Sequence, residues 1–300
     1  MIELGELLRE AGGEAALAPA WRDLPAFSAL VFEHHLRHAR VDLALRCTSL
    51  DRNRAEGLIA LCARWPALAP LVWAWAGGRE SGAARVETLW FELERGHAQP
   101  SLFLDLSRRS LAAVDDALAR AGRPLTARAR ASLEHVRAFA PGLEPEHCGL
   151  RLARPGAPLR VRFGGLPARR VDALATHLGV HAPAVSERYT AAPVVVHVDV
   201  DAGGRLGPGL GVELRRRSHD GWCELLELLV EDGLCSPAER ADLLGYPACT
   251  PIVSERLRRA LSWLLPHDAT HFIRRISHVK LVCDGRGDVV AKAYLHLHYY

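Results

Sequence analysis

The chain has 300 residues, of which 49% are hydrophobic and 24% are charged, and its net charge is +3 at pH 7. This composition is typical of a globular protein that buries a core, and the charge is too small to indicate a nucleic-acid partner. No uninterrupted apolar stretch reaches about 18 residues, so we expect no membrane span. The N-terminal residues carry acids where a signal peptide has a basic start and an apolar run.

The seven cysteines are scattered along the chain, and no Cys-x-x-Cys motif occurs among them. Disulfide frameworks and zinc sites both need regularly spaced cysteines, so neither is expected here. The pattern favours reduced, mostly buried thiols and therefore predicts a cytoplasmic protein.

The first part of the chain reads as mainly helical. Apolar positions in residues 1–40 follow a helical period, residues 41–47 alternate like a strand, and residues 51–75 are again helical. We therefore predict a mainly helical N-terminal part over residues 1–80. It is expected to form one domain together with residues 81–300.

Four β-hairpins are predicted beyond this part, because apolar and polar residues alternate on both sides of short polar links. The predicted hairpins cover residues 87–106, 148–163, 192–217 and 278–300. Helical stretches lie between them. Gly122 and Gly179 are predicted to stop two helices, and Thr126 and Ser236 to cap two others.

A repeat unites these elements. Acidic positions, turn residues, helix caps and basic positions match in order at a separation of roughly 110 residues. Asp105 falls on Glu213 in this alignment, and Arg151 falls on Lys280. We predict two copies of a unit composed of a hairpin, a helix pair and a hairpin. Chance agreement between α+β segments is the alternative.

Each predicted strand has one apolar face and one polar face, because successive side chains point to opposite sides. The helix pairs need an apolar surface to cover. The predicted fold is α+β, with repeated α-α-β-β units, an antiparallel sheet curled or closed into a barrel, and helices on the outside. A sheet of eight or more twisted strands tends to curl or close; an open sheet with a solvated polar face is the alternative.

Charged residues lie on the polar face of the hairpins. Lys280 and Lys292 could face each other across the last hairpin, which places two like charges side by side. Such a pair is tolerable in open water, or with an anion such as diphosphate between the ammonium groups. The candidate side chains for a lumen are the acids Glu92, Glu94, Asp105, Asp199, Asp201 and Glu213 and the bases Arg151, Arg162, Lys280 and Lys292.

The repeated units with lysine and arginine on inner strand faces resemble the ABBA, or PT-barrel, aromatic prenyltransferases over roughly residues 85–298. Within that family, a Lys-x-Tyr on a strand is characteristic of the dimethylallyltryptophan synthases, and Lys292 and Tyr294 have this spacing. The resemblance implies a barrel that holds a prenyl diphosphate and an aromatic or peptide acceptor, in natural-product biosynthesis. The family uses several strand tyrosines, whereas here only Tyr294 lies clearly on a polar face.

The resemblance also implies roles for residues. Basic side chains would stabilise the departing diphosphate, aromatic rings would shield the allylic cation, and a carboxylate would take a proton from the acceptor. The residues concerned are Arg151, Arg162, Lys280 and Lys292 for diphosphate, Tyr294 and Trp90 for the cation, and Glu92 or Asp199 for the proton, with Tyr294 counted as catalytic. No cofactor and no metal are expected, since the basic residues would replace magnesium.

The alternative function is a non-catalytic binding or accessory protein that holds a peptide or a natural product in the same cavity. A related possibility is a scaffold whose cavity has filled in. Both share the predicted fold and differ from the enzyme in whether a prenyl diphosphate binds. The sequence leaves the acceptor and the oligomeric state open.

Overall fold

The computed structural model describes residues 28–38, 40–48, 65–77, 86–94, 97, 99–106, 110–120, 122–152, 154–183, 189, 192–251, 270–284 and 286–299. Eleven strands occur in this part of the chain. They are β1 (Ala29–His35), β2 (Arg40–Thr48), β3 (Val86–Leu93), β4 (Ser101–Leu106), β5 (Glu144–Leu150), β6 (Leu159–Leu166), β7 (Val194–Val200), β8 (Gly211–Leu214), β9 (Ala248–Pro251), β10 (His271–Cys283) and β11 (Val289–Tyr299).

Ten of these strands close into an antiparallel barrel. The strands follow the order β1 to β8, then β10 and β11, and β11 pairs with β1 to complete the ring. Strand β9 pairs only with the first residues of β10 and is not a member of the ring. The closed sheet predicted from the polar faces is therefore confirmed.

The helix predicted over residues 1–40 is wrong in its last part, because Ala29–His35 is strand β1. Both faces of β1 are covered, so its apolar residues do not alternate with polar ones and a period of two is hard to recognise. Residues 1–27 lie outside the described residues. The division into residues 1–80 and 81–300 stays a prediction.

Six α-helices accompany the barrel in the described part of the chain, and none of them is long and apolar enough to cross a membrane. The caps predicted at Thr126 and Ser236 are confirmed, since their hydroxyl oxygens accept from the backbone N–H groups of Ala129 and Glu239. The helices are α1 (Ala69–Gly77), α2 (Leu111–Arg120), α3 (Ala127–Ala138), α4 (Val171–Leu178), α5 (His219–Glu231) and α6 (Pro237–Gly245).

Along the chain, β3 and β4 are followed by α2, α3, β5 and β6, and β7 and β8 are followed by α5, α6, β9, β10 and β11. The repeated unit stays a prediction. Duplication as its cause, and helices confined to the outside, stay predictions. Apolar residues of the strands and of the helices form one buried core, which includes Leu89 and Phe91 of β3 and Leu225 of α5. The side chains at the alternate positions of the strands point into the barrel interior.

Candidate active site inside the barrel

A cavity of about 230 Å³ lies inside the barrel, and each of the ten ring strands contributes to its wall. Five of the predicted site residues line it: Trp90, Glu92, Arg162, Lys280 and Tyr294. The other three, Arg151, Asp199 and Lys292, are not among its lining residues. Inward alternation along the strands thus places most of the predicted set around one space.

Arg151, Asp199 and Lys292 belong to a group of buried or partly buried charges at one end of the barrel, which we call the ion-paired end. Each of its members lies one inward-facing position beyond the wall of the cavity. Four lie at or next to the C-terminal ends of β1, β3, β5 and β7, and two lie near the N-terminal ends of β2 and β11. The ion-paired end consists of His35, Asp42, Glu94, Arg151, Asp199 and Lys292.

Arg151 is 4% exposed and bridges two carboxylates at this end. Its Nη1 lies 3.2 Å from Oδ2 of Asp199, and its Nη2 lies 3.3 Å from Oε1 of Glu94. Arg160 donates to the same aspartate from Nε at 2.7 Å and from Nη2 at 2.8 Å. Buried charges of opposite sign are thereby matched, which offsets part of the cost of removing them from water.

These contacts make Asp199 a poor proton acceptor. Burial alone would raise the pKa of its carboxyl group, but the guanidinium groups of Arg160 and Arg151 outweigh burial and hold the pKa well below the usual range. An oxygen that already accepts two charge-assisted hydrogen bonds has little basicity left for a substrate proton.

Glu92 is in the opposite situation. It is 9% exposed and lines the cavity, and its Oε2 has no hydrogen-bond partner among the described residues. Burial, assisted by the nearby carboxylates of Glu33 and Glu94, raises the pKa of Glu92 to about 7. Glu92 can therefore accept or release a proton near neutral pH.

Lys280 and Lys292 do face each other, as directly paired residues of β10 and β11. Lys292 is neutralised by Glu33, whose Oε1 accepts from its Nζ while Oε2 accepts from the hydroxyl group of Tyr294. Lys280 forms no ion pair with any described residue, and its Nζ lies 4.9 Å from the centroid of the Tyr294 ring. The two lysines can face each other because the charge of Lys292 is neutralised by Glu33, which leaves Lys280 as the one of the pair without a carboxylate partner among the described residues.

Burial lowers the pKa of Lys280 to about 8, and the positive charges of Arg160 and Lys292 act in the same direction. The side chain is 4% exposed. A lysine that is buried, cationic at neutral pH and without a carboxylate partner offers its charge to an anionic ligand.

A second carboxylate, Glu213, organises the wall next to Lys280. Its Oε1 lies 2.7 Å from Nε2 of His197 and 3.7 Å from Nε2 of His278, and its Oε2 accepts from Arg215 at 2.9 Å. Burial lowers the pKa of His197 to about 3 and that of His278 to about 4, so both rings are neutral at pH 7. The ring of His278 stacks on Tyr294 with centroids 4.1 Å apart.

The predicted set of site residues did not include several of these residues. Glu33 was hidden by the helix prediction for β1, whereas the alternation of β6, β7 and β10 already placed Arg160, His197 and His278 beside the predicted residues. Strand alternation was therefore the signal that could have found the last three.

Comparison with solved structures identifies the fold. This chain is similar to the 6-dimethylallyltryptophan synthase from Micromonospora olivasterospora, which was solved in complex with DMASPP and Trp. The match has a TM-score of 0.56 and 16% sequence identity, and it covers 98% of this chain and 94% of the synthase chain. A structure described as 6-dimethylallyl tryptophan synthase matches over the same shares with a TM-score of 0.55 and 14% identity. The chain has the PT-barrel fold. No protein-family model and no characterised protein matches it by sequence.

The PT barrel of this chain holds Trp90 in a fixed orientation. The indole Nε1 donates to Oδ2 of Asp105 at 3.2 Å, and Oδ1 of that aspartate lies 2.8 Å from Nε2 of His147. Beside it, Phe103 lies over Gly149, where an added Cβ would come within 2.1 Å of the Phe103 ring. The Trp90 and Phe103 rings both form part of the cavity wall.

One cluster in this PT barrel has donor atoms suited to a metal ion. Ligand atoms of Glu33, His35 and Asp42 lie within 4.8 Å of one another. Their charges are already matched, because Glu33 binds Lys292 and Asp42 accepts from Arg40 at 2.9 Å. A divalent cation there would have to displace both bases, so the cluster fits an ion-pair network better than a metal site.

Proposed function

We propose that this chain transfers a prenyl group from a prenyl diphosphate to an aromatic acceptor inside its barrel. One observation carries the proposal: a buried lysine without a carboxylate partner among the described residues and a carboxylate with a pKa of about 7 line the same cavity inside the barrel. Lys280 suits the anionic donor, and Glu92 suits the proton that the acceptor must lose.

The first step is ionisation of the donor. The bond between the allylic carbon and the diphosphate oxygen breaks, and its electron pair leaves with the diphosphate. Lys280 would stabilise the negative charge that develops on the leaving group. Arg160 and Arg162 line the same cavity and would add positive potential from within their ion pairs with Asp199 and Glu213. The allylic cation would lie against the π faces of Tyr294 and Trp90.

The second step joins the two substrates. A carbon atom of the acceptor ring attacks the allylic cation and forms the new carbon–carbon bond, and the ring becomes aromatic again by releasing a proton. Glu92 would accept this proton. Arg151 and Lys292, which the resemblance also assigns to diphosphate, could assist only by giving up their present carboxylate partners.

Cavity size favours small substrates. A volume of about 230 Å³ lies below the roughly 300–1,000 Å³ that is usual for ligand pockets. We therefore propose a five-carbon prenyl donor and an acceptor that inserts a single aromatic ring, either as a small natural product or as a peptide side chain. The co-substrate in this proposal is a prenyl diphosphate. We also propose that the fold is built from repeated α-α-β-β units with the helices outside the barrel.

A binding protein for a small natural product is the second candidate, because Arg151, Arg162 and Lys292 already have interior carboxylates as partners. Calorimetry with dimethylallyl diphosphate separates the two. The enzyme should bind it at micromolar concentration and add one prenyl unit to an aromatic acceptor, detected by mass spectrometry. Absence of binding, together with binding of aromatic compounds alone, would leave the accessory role.

A further inference from the structure

Three buried polar atoms lie in one row across strands β3, β4 and β5. They are Oε2 of Glu92, Oγ of Ser101 and Nε of Arg151, and none of them has a hydrogen-bond partner among the described residues. Ser101 is fully buried and Arg151 is 4% exposed, so bulk water does not satisfy them. Leaving a buried polar group without a partner costs free energy, so three of them side by side need an explanation.

Strand pairing brings the three residues together. Glu92 and Ser101 are directly paired residues of β3 and β4, and directly opposed residues have Cβ atoms about 4.5–5.5 Å apart. On the other side of β4, Leu102 is paired with Leu150 of β5. The next residue along each chain is Ser101 on one side and Arg151 on the other, so these two also lie opposite each other.

The side chain of Ser101 points into the barrel. Side chains alternate along a strand, and Leu102 and Leu104 belong to the core whereas Phe103 lines the cavity. Ser101 therefore shares the inward face of Phe103. It is not itself among the cavity-lining residues, so it can act on a bound substrate only through a neighbour such as Glu92.

A hydroxyl group suits the position between these two partners. An arginine only donates hydrogen bonds and a deprotonated glutamate only accepts them, whereas a serine does both. Nε of Arg151 can donate to Oγ of Ser101, and the Ser101 hydroxyl group can donate to Oε2 of Glu92. All donors in this chain point toward the carboxylate, so the chain favours its charged form.

We propose that Ser101 is a positioning residue for Glu92: its hydroxyl group holds the carboxylate in one orientation and links it to the guanidinium group of Arg151. This inference rests on the proposed function, in which Glu92 takes the proton of the acceptor. A glutamate side chain is long enough to span the gap between directly opposed residues. Rotation of the Glu92 side chain would therefore complete the hydrogen bond when the carboxyl group is deprotonated.

Ser101 acts alongside several ionisable groups that interact with Glu92. Burial and the carboxylates of Glu33 and Glu94 raise the pKa of Glu92, whereas Arg151 and Lys280 lower it. The groups are Glu33 on β1, Glu94 after β3, Arg151 after β5, Arg160 on β6, Lys280 on β10 and Tyr294 on β11. A substitution of Ser101 removes none of them, so a change in the titration of Glu92 reports the loss of the hydroxyl group.

The experiment follows the carboxyl carbon of Glu92 by ¹³C NMR as a function of pH, and the resonance is assigned by its absence in Glu92→Gln. The pKa of Glu92 in the parent protein is about 7. Ser101→Ala should raise it by about one pH unit, because a hydrogen bond to the charged form is lost. Ser101→Thr keeps a hydroxyl group and should restore the parent value. The acidic limb of kcat/KM should move with the pKa in both variants.

Ser277→Ala is the matched control. Ser277 lines the same cavity, but its Oγ lies 3.1 Å from Nδ1 of His278, on the far side of the ring from β4. This variant should leave the pKa of Glu92 unchanged.

The NMR titration needs no turnover, so it tests Ser101 separately from prenyl transfer. An unchanged pKa in Ser101→Ala, an equal rise in Ser277→Ala, or no recovery in Ser101→Thr would each overturn the inference. A raised pKa in Ser101→Ala with an unmoved acidic limb would instead refute only the role of Glu92 in the proposed function.

Discussion

The two ends of the barrel use the same residue types in opposite ways. At the ion-paired end, Arg151 and Lys292 each contact a buried carboxylate, whereas at the opposite end Arg275 contacts His296 and no carboxylate among the described residues. Charges that are matched within the protein stabilise one arrangement of the barrel, and charges that are left unmatched remain available to a ligand. Lys280, between the two ends, belongs with the second kind.

The largest expected effect concerns the ion-paired end. Asp199→Asn removes the only carboxylate that Arg160 contacts among the described residues. Leaving this mostly buried guanidinium without a charged partner should lower the unfolding free energy by about 3 kcal/mol. Urea denaturation measures the change. Asp116→Asn, which breaks a half-exposed helix pair with Arg120, should cost less than about 1 kcal/mol; equal losses in the two variants would contradict the distinction.

The next effect concerns Glu92, in the middle of the cavity. Activity requires its deprotonated form and the protonated form of Lys280, so kcat/KM should rise with pH up to about 7 and fall above about 8. Glu92→Gln should lower the rate by about a hundredfold or more and abolish the acidic limb of the profile. An unchanged acidic limb in this variant would assign that pKa to another group.

The same variant has a stability signature that serves as its folding control. The pKa of Glu92 is raised in the folded protein, so its contribution to stability is present below the ordinary pKa of 4.5 and is lost as pH rises through about 7. Glu92→Gln should therefore be at least as stable as the parent protein at pH 8. Destabilisation there would show that the carboxylate is held by contacts that stabilise it.

The smallest effect separates the two facing lysines. Lys280→Met should weaken binding of dimethylallyl diphosphate by about tenfold to a hundredfold, as expected for loss of a charge-assisted hydrogen bond. Lys292→Met should weaken it less, because that ammonium group is already neutralised by Glu33. Calorimetry on both variants measures the difference, and a greater loss in Lys292→Met would show that Glu33 releases its lysine when the ligand binds.

The sequence predicts much of this fold because alternation and helix caps are local signals. Strands β3 and β11 could be recognised from alternation, and the cap at Thr126 from its position before an apolar stripe. Strand β1 could not, since it is covered on both faces. Alternation also places Glu92 and Lys280 inside, yet it does not show which charges are matched: Lys292 finds its carboxylate 259 residues away in the chain, and only the closed ring brings them together.

Closure of the ring between β1 and β11 has a consequence for biogenesis. Until the ribosome has released β11, the growing chain can offer only an open sheet with two unpaired edges, and the pairing that completes it has a very long sequence separation. Glu33 and Tyr294 meet at this seam. Ligand-binding competence should therefore arise only after β11 has been synthesised, and fragments ending before β11 should be prone to aggregate.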